Sequence, residues 1–342
     1  MLRNHSLSET PMLLASGFRL SVRSLMSRVV AVKGSYGQDV VEGLSQAPRS
    51  IPTYYLYDDY GSELFEQICI QPEYYPTRTE RQILRRAAPE IASITKTRSL
   101  VELGSGSSSK TRLLLDGMVS YWEEQPVYYV PIDVSAGILE RSAMALLDSY
   151  PTLTVQGLVA TYELALADLP PVPDRLVAFL GSTLGNIPPH ECDHFFAQVA
   201  EALAVGEYFL IGVDLQKDIA ILEAAYNDQA GVSAAFNLNI LNHLNRRFGG
   251  TFIPAQFRHY APYNPTAHQI EIYVTSDREQ TVTLGALSLS LHLSAGEKIL
   301  TEVSRKFQVS ELRSQLASLG FMTQGVWTDS QDWYAVMLLQ KN

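Results

Sequence analysis

One short stretch near residue 100 restricts the fold of this chain more than any other. An apolar segment from Ser99 to Leu103 is followed by Gly104 and Gly106, and an amphipathic run begins near Ser107. This order is typical of a strand, a tight turn and a helix start, because glycine lets the backbone turn sharply and approach a ligand. The unpaired N–H groups of a helix start can bind an anionic or polar group. We therefore expect a ligand at this turn.

The charge beside the turn favours one class of ligand. Glu102 places a negative charge where a nucleotide-like cofactor would pass. S-adenosylmethionine (SAM) is compatible with that charge, because it carries a cationic sulfonium and an amino group and has no pyrophosphate. The dinucleotide pattern G-x-G-x-x-G and the P-loop pattern G-x-x-x-x-G-K-[ST] both fail at Ser109, where each requires a glycine. A nucleotide hydrolase and a purely structural turn stay open as alternatives.

A second acidic residue supports the same interpretation. The apolar segment from Tyr128 to Ile132 ends at Asp133. In a doubly wound sheet, a carboxylate at the end of the second strand can accept hydrogen bonds from ribose hydroxyls. Asp133 could instead cap the helix that we expect near Ser135. Together with the glycine turn, Asp133 favours a Rossmann-like core that binds SAM.

Strands and helices alternate between Arg78 and about Asp214, which predicts βαβ units and a parallel sheet. We predict strands over 99–103, 127–132, 153–159, 174–180 and 206–213, and helices over 79–93, 108–119, 135–149 and 190–203. Leu164–Pro173 is interpreted as a proline-rich connection. We then predict helices within 216–247, antiparallel strands within 268–275 and 281–293, a helix over 310–319, and a strand over 333–339 that returns to the first sheet.

These elements predict an α/β fold: a Rossmann-like class I SAM-dependent methyltransferase core with an inserted α+β substrate-binding domain. We expect residues 79–214 and 307–342 to form the SAM-binding domain. Residues 26–78 and 215–306 would form the substrate-binding domain, and residues 1–25 a flexible N-terminus. The site would lie between the domains, at the carboxyl ends of the parallel strands.

Composition excludes several classes of function. The net charge of −10 and the absence of a basic cluster argue against a nucleic-acid partner. No apolar run is long enough for a membrane span, and the basic N-terminus lacks a signal-peptide core. The two cysteines and the scattered histidines give no metal-ligand spacing. We expect a cytoplasmic monomer without a metal, although the sequence leaves the oligomeric state open.

Further motifs resemble the histidine Nα-methyltransferases of ergothioneine biosynthesis. They are Tyr57 to Phe65 (YDDYGSELF), Pro72 to Arg78 (PEYYPTR), Gly181 to Asn186 (GSTLGN), Ala225 to Asp228 (AYND), Phe236 to Asn239 (FNLN) and Thr301 to Phe307 (TEVSRKF). The similarity runs from about Pro52 to the C-terminus with the motifs in order. The glycine turn is shared by many methyltransferases, whereas YYPTR and TExSxKF are far more discriminating.

The resemblance implies transfer of three methyl groups, one per SAM, to the α-amine of L-histidine, which gives hercynine. The residues implied to bind SAM are Glu102, Gly104, Ser105, Lys110, Asp133, Thr161 and Tyr162. Lys110 would pair with the SAM carboxylate and Asp133 with the ribose, and the segment Ala160–Tyr162 would lie near adenine. The family usually has an acidic residue where Thr161 stands, so the adenine contact there would lack a charge.

The resemblance also implies a substrate site. Asn186 and Tyr226 would bind the histidine carboxylate, Glu302 and Ser304 the imidazole, and Tyr57, Tyr74 and Phe65 would surround the amine and ring; we count Tyr57, Tyr74 and Asn186 as catalytic. Glu302 as acceptor and Ser304 as donor or acceptor match the two unlike nitrogens of neutral imidazole. The aromatic residues could equally be packing residues, Asn186 a turn residue, and the Glu302–Ser304 pair solvent-facing. Lys306 is expected to be structural and to balance Glu302.

The chemistry needs alignment more than acid–base groups. Methyl transfer is an in-line displacement at carbon, so the protein must orient the reactants and exclude water. No histidine or isolated carboxylate stands out as a base, so we expect desolvation to lower the amine pKa and water or a tyrosine to remove the proton. The alternatives are methylation of another aromatic amino acid, such as a tryptophan derivative, the nucleotide hydrolase, and a binding protein without catalysis.

Overall fold

The computed structural model describes residues 19–26, 37–106, 108 and 110–342. The strands are β1 (Leu20–Ser24), β2 (Arg49–Ser50), β3 (Ser99–Leu103), β4 (Val127–Asp133), β5 (Leu153–Val159), β6 (Arg175–Phe179), β7 (Tyr208–Asp214), β8 (Phe257–Tyr260), β9 (Tyr263–Asn264), β10 (Gln269–Ser276), β11 (Gln280–Leu284), β12 (Leu289–Leu293), β13 (Lys298–Arg305), β14 (Phe321–Thr328) and β15 (Tyr334–Lys341). The helices are α1 (Gln38–Ser45), α2 (Asp59–Cys69), α3 (Tyr75–Thr95), α4 (Thr111–Trp122), α5 (Ala136–Ser149), α6 (Tyr162–Leu166), α7 (Pro189–Ala202), α8 (Ile219–Tyr226), α9 (Val232–Phe248) and α10 (Val309–Ser318).

The large sheet has the strand order β1-β5-β4-β3-β6-β7-β15-β14. The strands from β1 to β7 in this order pair in parallel, and β15 and β14 complete one side in antiparallel orientation. The order reverses between β3 and β6, because β3 continues to β4 on one side while β6 and β7 lie on the other. Ligands bind outside the carboxyl ends of the strands at such a reversal. The predicted Rossmann-like α/β core is confirmed.

The central strands are buried on both faces, which explains why they are nearly continuous apolar runs. Val101 of β3 and Ile211 of β7 pack into one hydrophobic cluster. Their neighbours Leu100 and Leu210 pack into a second cluster on the opposite face. This alternation follows from the period of two residues in a strand. All four side chains are fully buried, so the sheet is a rigid platform for the loops at its edge.

The second sheet has the order β2-β13-β10-β8, and β9 also pairs with β10. It shares a third hydrophobic cluster with α9, in which Ile240, Leu244, Val274 and Ile299 are fully buried. β13 leads directly back to the large sheet, because the Phe307 N–H donates to the carbonyl of the last β7 residue at 2.9 Å. Strand β13 thereby presents its side chains toward the carboxyl ends of the large sheet.

The structure corrects the prediction of a flexible stretch through residue 25. Leu20–Ser24 form strand β1, which pairs in parallel with β5, and residues 1–18 lie outside the described residues. The Arg19 guanidinium donates to the carbonyls of Tyr150 and Pro151 at 3.0 and 3.1 Å. β1 covers the polar edge of β5, a partner so distant in sequence that the local pattern carries no sign of it.

Other differences are local. The segment interpreted as a connection begins inside the short helix α6, α3 begins at Tyr75 rather than residue 79, and β14 was not predicted. The helix predicted to start near 108 begins at Thr111, and Ser107 and Ser109 lie outside the described residues. The return of the chain to the first sheet through α10 and β15 is confirmed. Within the described ranges, no helix has the length and apolar character needed to cross a bilayer.

Candidate active site

A cavity lies where the loop after β6 faces the second sheet. All seven residues predicted to bind substrate line it: Tyr57, Phe65, Tyr74, Asn186, Tyr226, Glu302 and Ser304. They come from the segment before α2, from α2, α8 and β13, and from the loops before α3 and after β6. The structure therefore brings together residues that the sequence separates widely. Their contact with a substrate stays a prediction.

Aromatic rings form one wall of the cavity. Ring centroids lie 5.7 Å apart for Tyr57 and Phe65, 6.3 Å for Phe65 and Tyr74, and 6.0 Å for Tyr74 and Tyr226, all in edge-on contact. Burial raises the pKa of the Tyr57 and Tyr74 phenols well above the ordinary value. Both hydroxyls therefore stay protonated near neutral pH, so they can donate a hydrogen bond or relay a proton but are not phenolate bases.

Glu302 and Asn186 meet on the opposite side. The Asn186 amide donates a hydrogen bond to the Glu302 carboxylate. Burial raises the pKa of Glu302 to about 7, and the nearby Lys306 charge and the Asn186 hydrogen bond oppose this rise. Asn186 ends a short 3-10 turn that follows Gly181 and Ser182, both with left-handed backbone angles (φ 79° and 56°). That turn directs the amide toward β13.

Lys306 anchors the polar end of the cavity. Its side chain is fully buried and pairs with Asp214 at 2.9 Å, whereas we expected it to balance Glu302. Asp214 also accepts from the Tyr75 hydroxyl at 2.8 Å and pairs with Lys217. Burial is the largest single effect and would lower the pKa of Lys306, but the Asp214 charge, Tyr226 and the hydrogen bonds to both together outweigh it, and the pKa rises to about 12. For Lys217 burial prevails, and its pKa falls to about 8.

The glycine turn lies beside this cavity, at the carboxyl end of β3. Gly104 and Gly106 have left-handed backbone angles of 75° and 47°. The Asp133 carboxylate accepts from the Gly106 N–H and the Ser135 N–H, both at 2.9 Å. Asp133 therefore holds the turn and the start of α5 together, and lone pairs on its oxygens remain for a ligand. The hydroxyls of Ser105 and Ser135 are buried and have no hydrogen-bond partner within the part of the chain that the structure describes.

The Glu102 carboxylate supports this turn from the interior of the protein. Glu102 is 2% exposed and accepts from Thr111 Oγ1 and the Tyr129 hydroxyl, both at 2.6 Å. Burial raises its pKa to about 7, against the effect of those hydrogen bonds. The observed partners of Glu102 thus belong to the protein, and its predicted contact with a cofactor stays a prediction.

Glu80 is a site residue that the sequence analysis missed. It is fully buried and accepts from Lys110 Nζ at 2.6 Å, from the Gly181 N–H at 2.9 Å and from the Tyr334 hydroxyl at 2.8 Å. Gly212 leaves room for it, because a Cβ there would lie 1.9 Å from Glu80 Oε1. The sequence signal that could have identified Glu80 is its position, as a charged residue, on the apolar face of the helix predicted over 79–93. Glu80 thus fixes Lys110 between the ends of β3 and β6.

The residues expected near adenine lie on the other side of the turn. A Cβ on Gly104 would come within 3.1 Å of the Tyr162 hydroxyl, so a glycine is needed for this close approach. The Tyr162 ring packs edge-on against Phe179 at 5.1 Å. Thr161 precedes α6 as its N-cap residue without a side-chain capping bond. The Thr161 hydroxyl therefore stays available to another partner.

Comparisons with known proteins decide the family. A family model described as histidine-specific, SAM-dependent methyltransferase matches residues 36–341. The chain is 42% identical over 292 residues to histidine N-alpha-methyltransferase of Mycolicibacterium smegmatis, covering 85% of this chain and 90% of that protein. This chain belongs to the histidine-specific SAM-dependent methyltransferases. The protein of the same name from Mycobacterium tuberculosis is 40% identical, covering 89% of this chain and 94% of its own.

More distant relatives of this methyltransferase extend the comparison. Ergothioneine biosynthesis protein 1 of Neurospora crassa is 31% identical over 86% of this chain, which spans 33% of that longer protein. Among solved structures, the CcbJ methyltransferase from Streptomyces caelestis aligns with 76% of this chain and 95% of its own at 15% identity, with a TM-score of 0.44. The family model and the two mycobacterial relatives show that the chain is a SAM-dependent methyltransferase, as the resemblance implies.

The residues at the turn of this methyltransferase fit its cofactor. The hydroxyls of Ser105 and Ser135 have no hydrogen-bond partner among the described residues, so they can bind a ligand. At Gly106, no described atom lies within 4 Å of where a Cβ would stand. The assignments of Lys110 to the amino-acid carboxylate and of Asp133 to the ribose hydroxyls stay predictions. Across the described residues, no group of three His, Cys, Asp or Glu side chains could hold a metal ion.

Proposed function

We propose that this methyltransferase trimethylates the α-amine of L-histidine, using three SAM molecules in turn, and releases hercynine for ergothioneine biosynthesis. The observation that carries the proposal is that all seven residues assigned to the substrate line one cavity beside the glycine turn. The names of the two mycobacterial relatives, histidine N-alpha-methyltransferase, support methylation at the α-amine of histidine.

The imidazole site rests on β13. Glu302 and Ser304 are two residues apart on that strand, so both side chains lie on the same face. A Glu302 carboxylate accepts from the ring N–H, and Ser304 donates to the unprotonated ring nitrogen. An indole has one donor and no acceptor, so it would leave Ser304 unmatched. A site built for a hydrogen-bonding group can reject an analogue without it by roughly 10⁴ or more.

The carboxylate and the α-amine of the substrate would contact the other walls of the cavity. The Asn186 amide and the Tyr226 phenol are donors that can hold the histidine carboxylate from two directions. Tyr57, Phe65 and Tyr74 surround the amine with ring faces and edges. Aromatic rings tolerate a head group that gains methyl groups and finally carries a permanent positive charge.

SAM, when bound, supplies an electrophilic methyl group. The protein's part is to hold the amine in line and free of its proton. Burial among the aromatic side chains disfavours the ammonium form and lowers the amine pKa. Over three transfers the ammonium loses three protons, and the protonated Tyr57 and Tyr74 hydroxyls can relay them to water. Lys110 and Asp133 would hold the cofactor at its carboxylate and ribose.

The proposal is tested by mass spectrometry after incubation with L-histidine and SAM. Products one, two and three methyl groups heavier than histidine are expected, with the trimethylated form accumulating. A Glu302→Ala, Ser304→Ala double variant should lose this activity while still binding S-adenosylhomocysteine. Preferential conversion of L-tryptophan in a mixture of both amino acids, or a double variant as fast as the parent, contradicts the proposal.

The same function assigns roles to the parts of the chain. We propose that residues 79–214 and 307–342 bind SAM and that residues 26–78 and 215–306 bind the substrate, because separate hydrophobic clusters support the two sheets. We further propose a cytoplasmic monomer that needs neither a nucleic acid nor a membrane partner. The two cysteines, which form no disulfide, and the negative net charge support this environment.

A further inference from the structure

Lys306 contacts Tyr226 and Ser304, two of the hydroxyl-bearing residues that the proposed function assigns to the substrate. Its buried ammonium donates to Asp214 Oδ2 at 2.9 Å, to the Tyr226 hydroxyl at 2.9 Å and to Ser304 Oγ at 2.8 Å. An ammonium has three hydrogens and no acceptor. These partners use all three hydrogens, so Lys306 has none left for a ligand.

The contacts restrict where the two hydroxyl hydrogens can point. The Tyr226 and Ser304 oxygens lie 2.7 Å apart, and each accepts from Lys306. Neither hydroxyl can donate back to an ammonium. Without a ligand, one hydrogen therefore joins the two oxygens and the other points elsewhere, toward the cavity that both residues line. With a ligand that offers two acceptors, both hydrogens can turn to it while each oxygen keeps its bond from Lys306.

We propose that Lys306 is a positioning residue that makes Tyr226 and Ser304 donate together to the substrate. The inference rests on the proposed function, which supplies the two acceptors: the histidine carboxylate for Tyr226 and the unprotonated ring nitrogen for Ser304. Without Lys306, a hydroxyl group that donates its hydrogen to the substrate would accept no hydrogen bond at its own oxygen. That oxygen would then be buried without a donor. Lys306 thereby favours ligands that carry both acceptors over ligands that carry one.

The chain offers a matched control in Lys217. This second ammonium also pairs with Asp214, and its other hydrogen bonds go to the Tyr75 hydroxyl, at 2.8 Å, and the Leu215 carbonyl. It therefore shares the carboxylate of Lys306 but contacts neither substrate-facing hydroxyl. A Lys217→Met variant removes one charge from the same cluster and leaves the two hydroxyl contacts intact.

The test compares L-histidine with histamine, which has the same ring and no carboxylate. Calorimetry on the full chain saturated with S-adenosylhomocysteine gives the dissociation constants. Lys306→Met should weaken the binding of histidine about 100-fold and the binding of histamine about tenfold. With histidine, both donating hydroxyls (Tyr226 and Ser304) lose the hydrogen bond from Lys306, whereas with histamine only Ser304 donates to the ligand. Lys217→Met should change both by less than about threefold, because Asp214 keeps its pair with Lys306 and neither substrate-facing hydroxyl loses a hydrogen bond. Affinity for S-adenosylhomocysteine should stay the same in both variants.

Further variants separate the inference from its alternatives. In a Tyr226→Phe background, Lys306→Met should cost histidine binding less than in the parent, because the two changes act on one hydroxyl. If Lys306→Met does not fold, Lys306→Gln keeps a polar side chain beside the Lys217–Asp214 pair, and its two amide hydrogens cannot serve all three partners of Lys306, so the same order of losses is expected. Equal losses for histidine and histamine, or equal effects of Lys306→Met and Lys217→Met, overturn the inference. A parent protein that neither binds nor methylates histidine overturns the proposed function instead.

Discussion

At the residue scale, Glu302 makes substrate binding depend on pH. Its pKa is raised to about 7, chiefly by burial, so the free site changes from mostly protonated at pH 6 to mostly ionised at pH 8. Only the ionised form is a pure acceptor for the ring N–H. We expect the ratio of histidine affinities, parent over Glu302→Gln, to rise about tenfold between these two pH values.

Calorimetry at both pH values with S-adenosylhomocysteine present measures this ratio. Glutamine keeps the size of Glu302 and an acceptor for the Asn186 amide, so the comparison isolates the charge. Titration of histidine itself is common to both proteins and cancels in the ratio. A ratio that is the same at pH 6 and pH 8 would show that Glu302 does not titrate on binding.

The residues predicted from sequence and those missed differ in one physical respect. Glu302, Tyr74 and Tyr226 stand in motifs whose residue types match a ligand, so their pattern could be recognised. Glu80 and Asp214 act through partners brought close only by the sheet, such as Lys110 for Glu80. No spacing along the chain encodes a contact of that kind, and for the same reason the direct ion pair of Lys306 with Asp214 was not predicted.

At the element scale, the turn after β3 depends on the left-handed backbone of Gly104. An alanine there costs about 1–2 kcal/mol of backbone energy, and its Cβ would stand 3.1 Å from the Tyr162 hydroxyl. We expect Gly104→Ala to weaken S-adenosylhomocysteine binding more than about tenfold, since the shifted turn and Tyr162 both belong to the predicted cofactor site.

Gly206 provides the control for this substitution. It is also left-handed, with φ 91°, but a Cβ there meets nothing within 4 Å. Gly206→Ala should lower the free energy of unfolding by a similar backbone cost, about 1–2 kcal/mol, and leave cofactor affinity unchanged. Denaturant unfolding and calorimetry on both variants measure the two effects. Equal losses of affinity would mean that strain, rather than the position of Gly104, is responsible.

Strands were predictable from sequence where their apolar residues follow one another or alternate regularly along the chain. β3 and β15 read as strands because both faces are buried and the apolar run is nearly continuous. β14 is mostly half-buried at the sheet edge, and its pairing with β15 contains an irregularity between Thr323 and Gly325, so its period is broken. β1 is a similar edge strand. Such edge strands have neither a continuous apolar run nor a clean alternation, so the local sequence gives little sign of them.

At the scale of the whole molecule, function and stability compete for the same buried charges. The sheet reversal brings β3, β6 and β13 together, so polar groups that serve the site must lie in the interior of the protein. Glu102 is the clearest case, because it is buried beneath the glycine turn and no cation pairs with it at hydrogen-bond distance among the described residues. Such a carboxylate supports the turn at a cost that depends on pH.

Glu102→Gln should measure that cost. Burial raises the folded-state pKa of Glu102 from 4.5 to about 7, so the folded protein holds a proton that the unfolded chain releases between these values. The contribution of Glu102 to the unfolding free energy therefore falls as pH rises from about 5 to 8. A neutral glutamine still accepts from Thr111 and Tyr129, so Glu102→Gln should be more stable than the parent at pH 8 by up to about 3 kcal/mol. The difference should fall below about 1 kcal/mol at pH 5. Urea unfolding at both pH values, with the exposed Glu201→Gln as control, decides the matter: a gap independent of pH would mean that the pKa of Glu102 is not raised by folding.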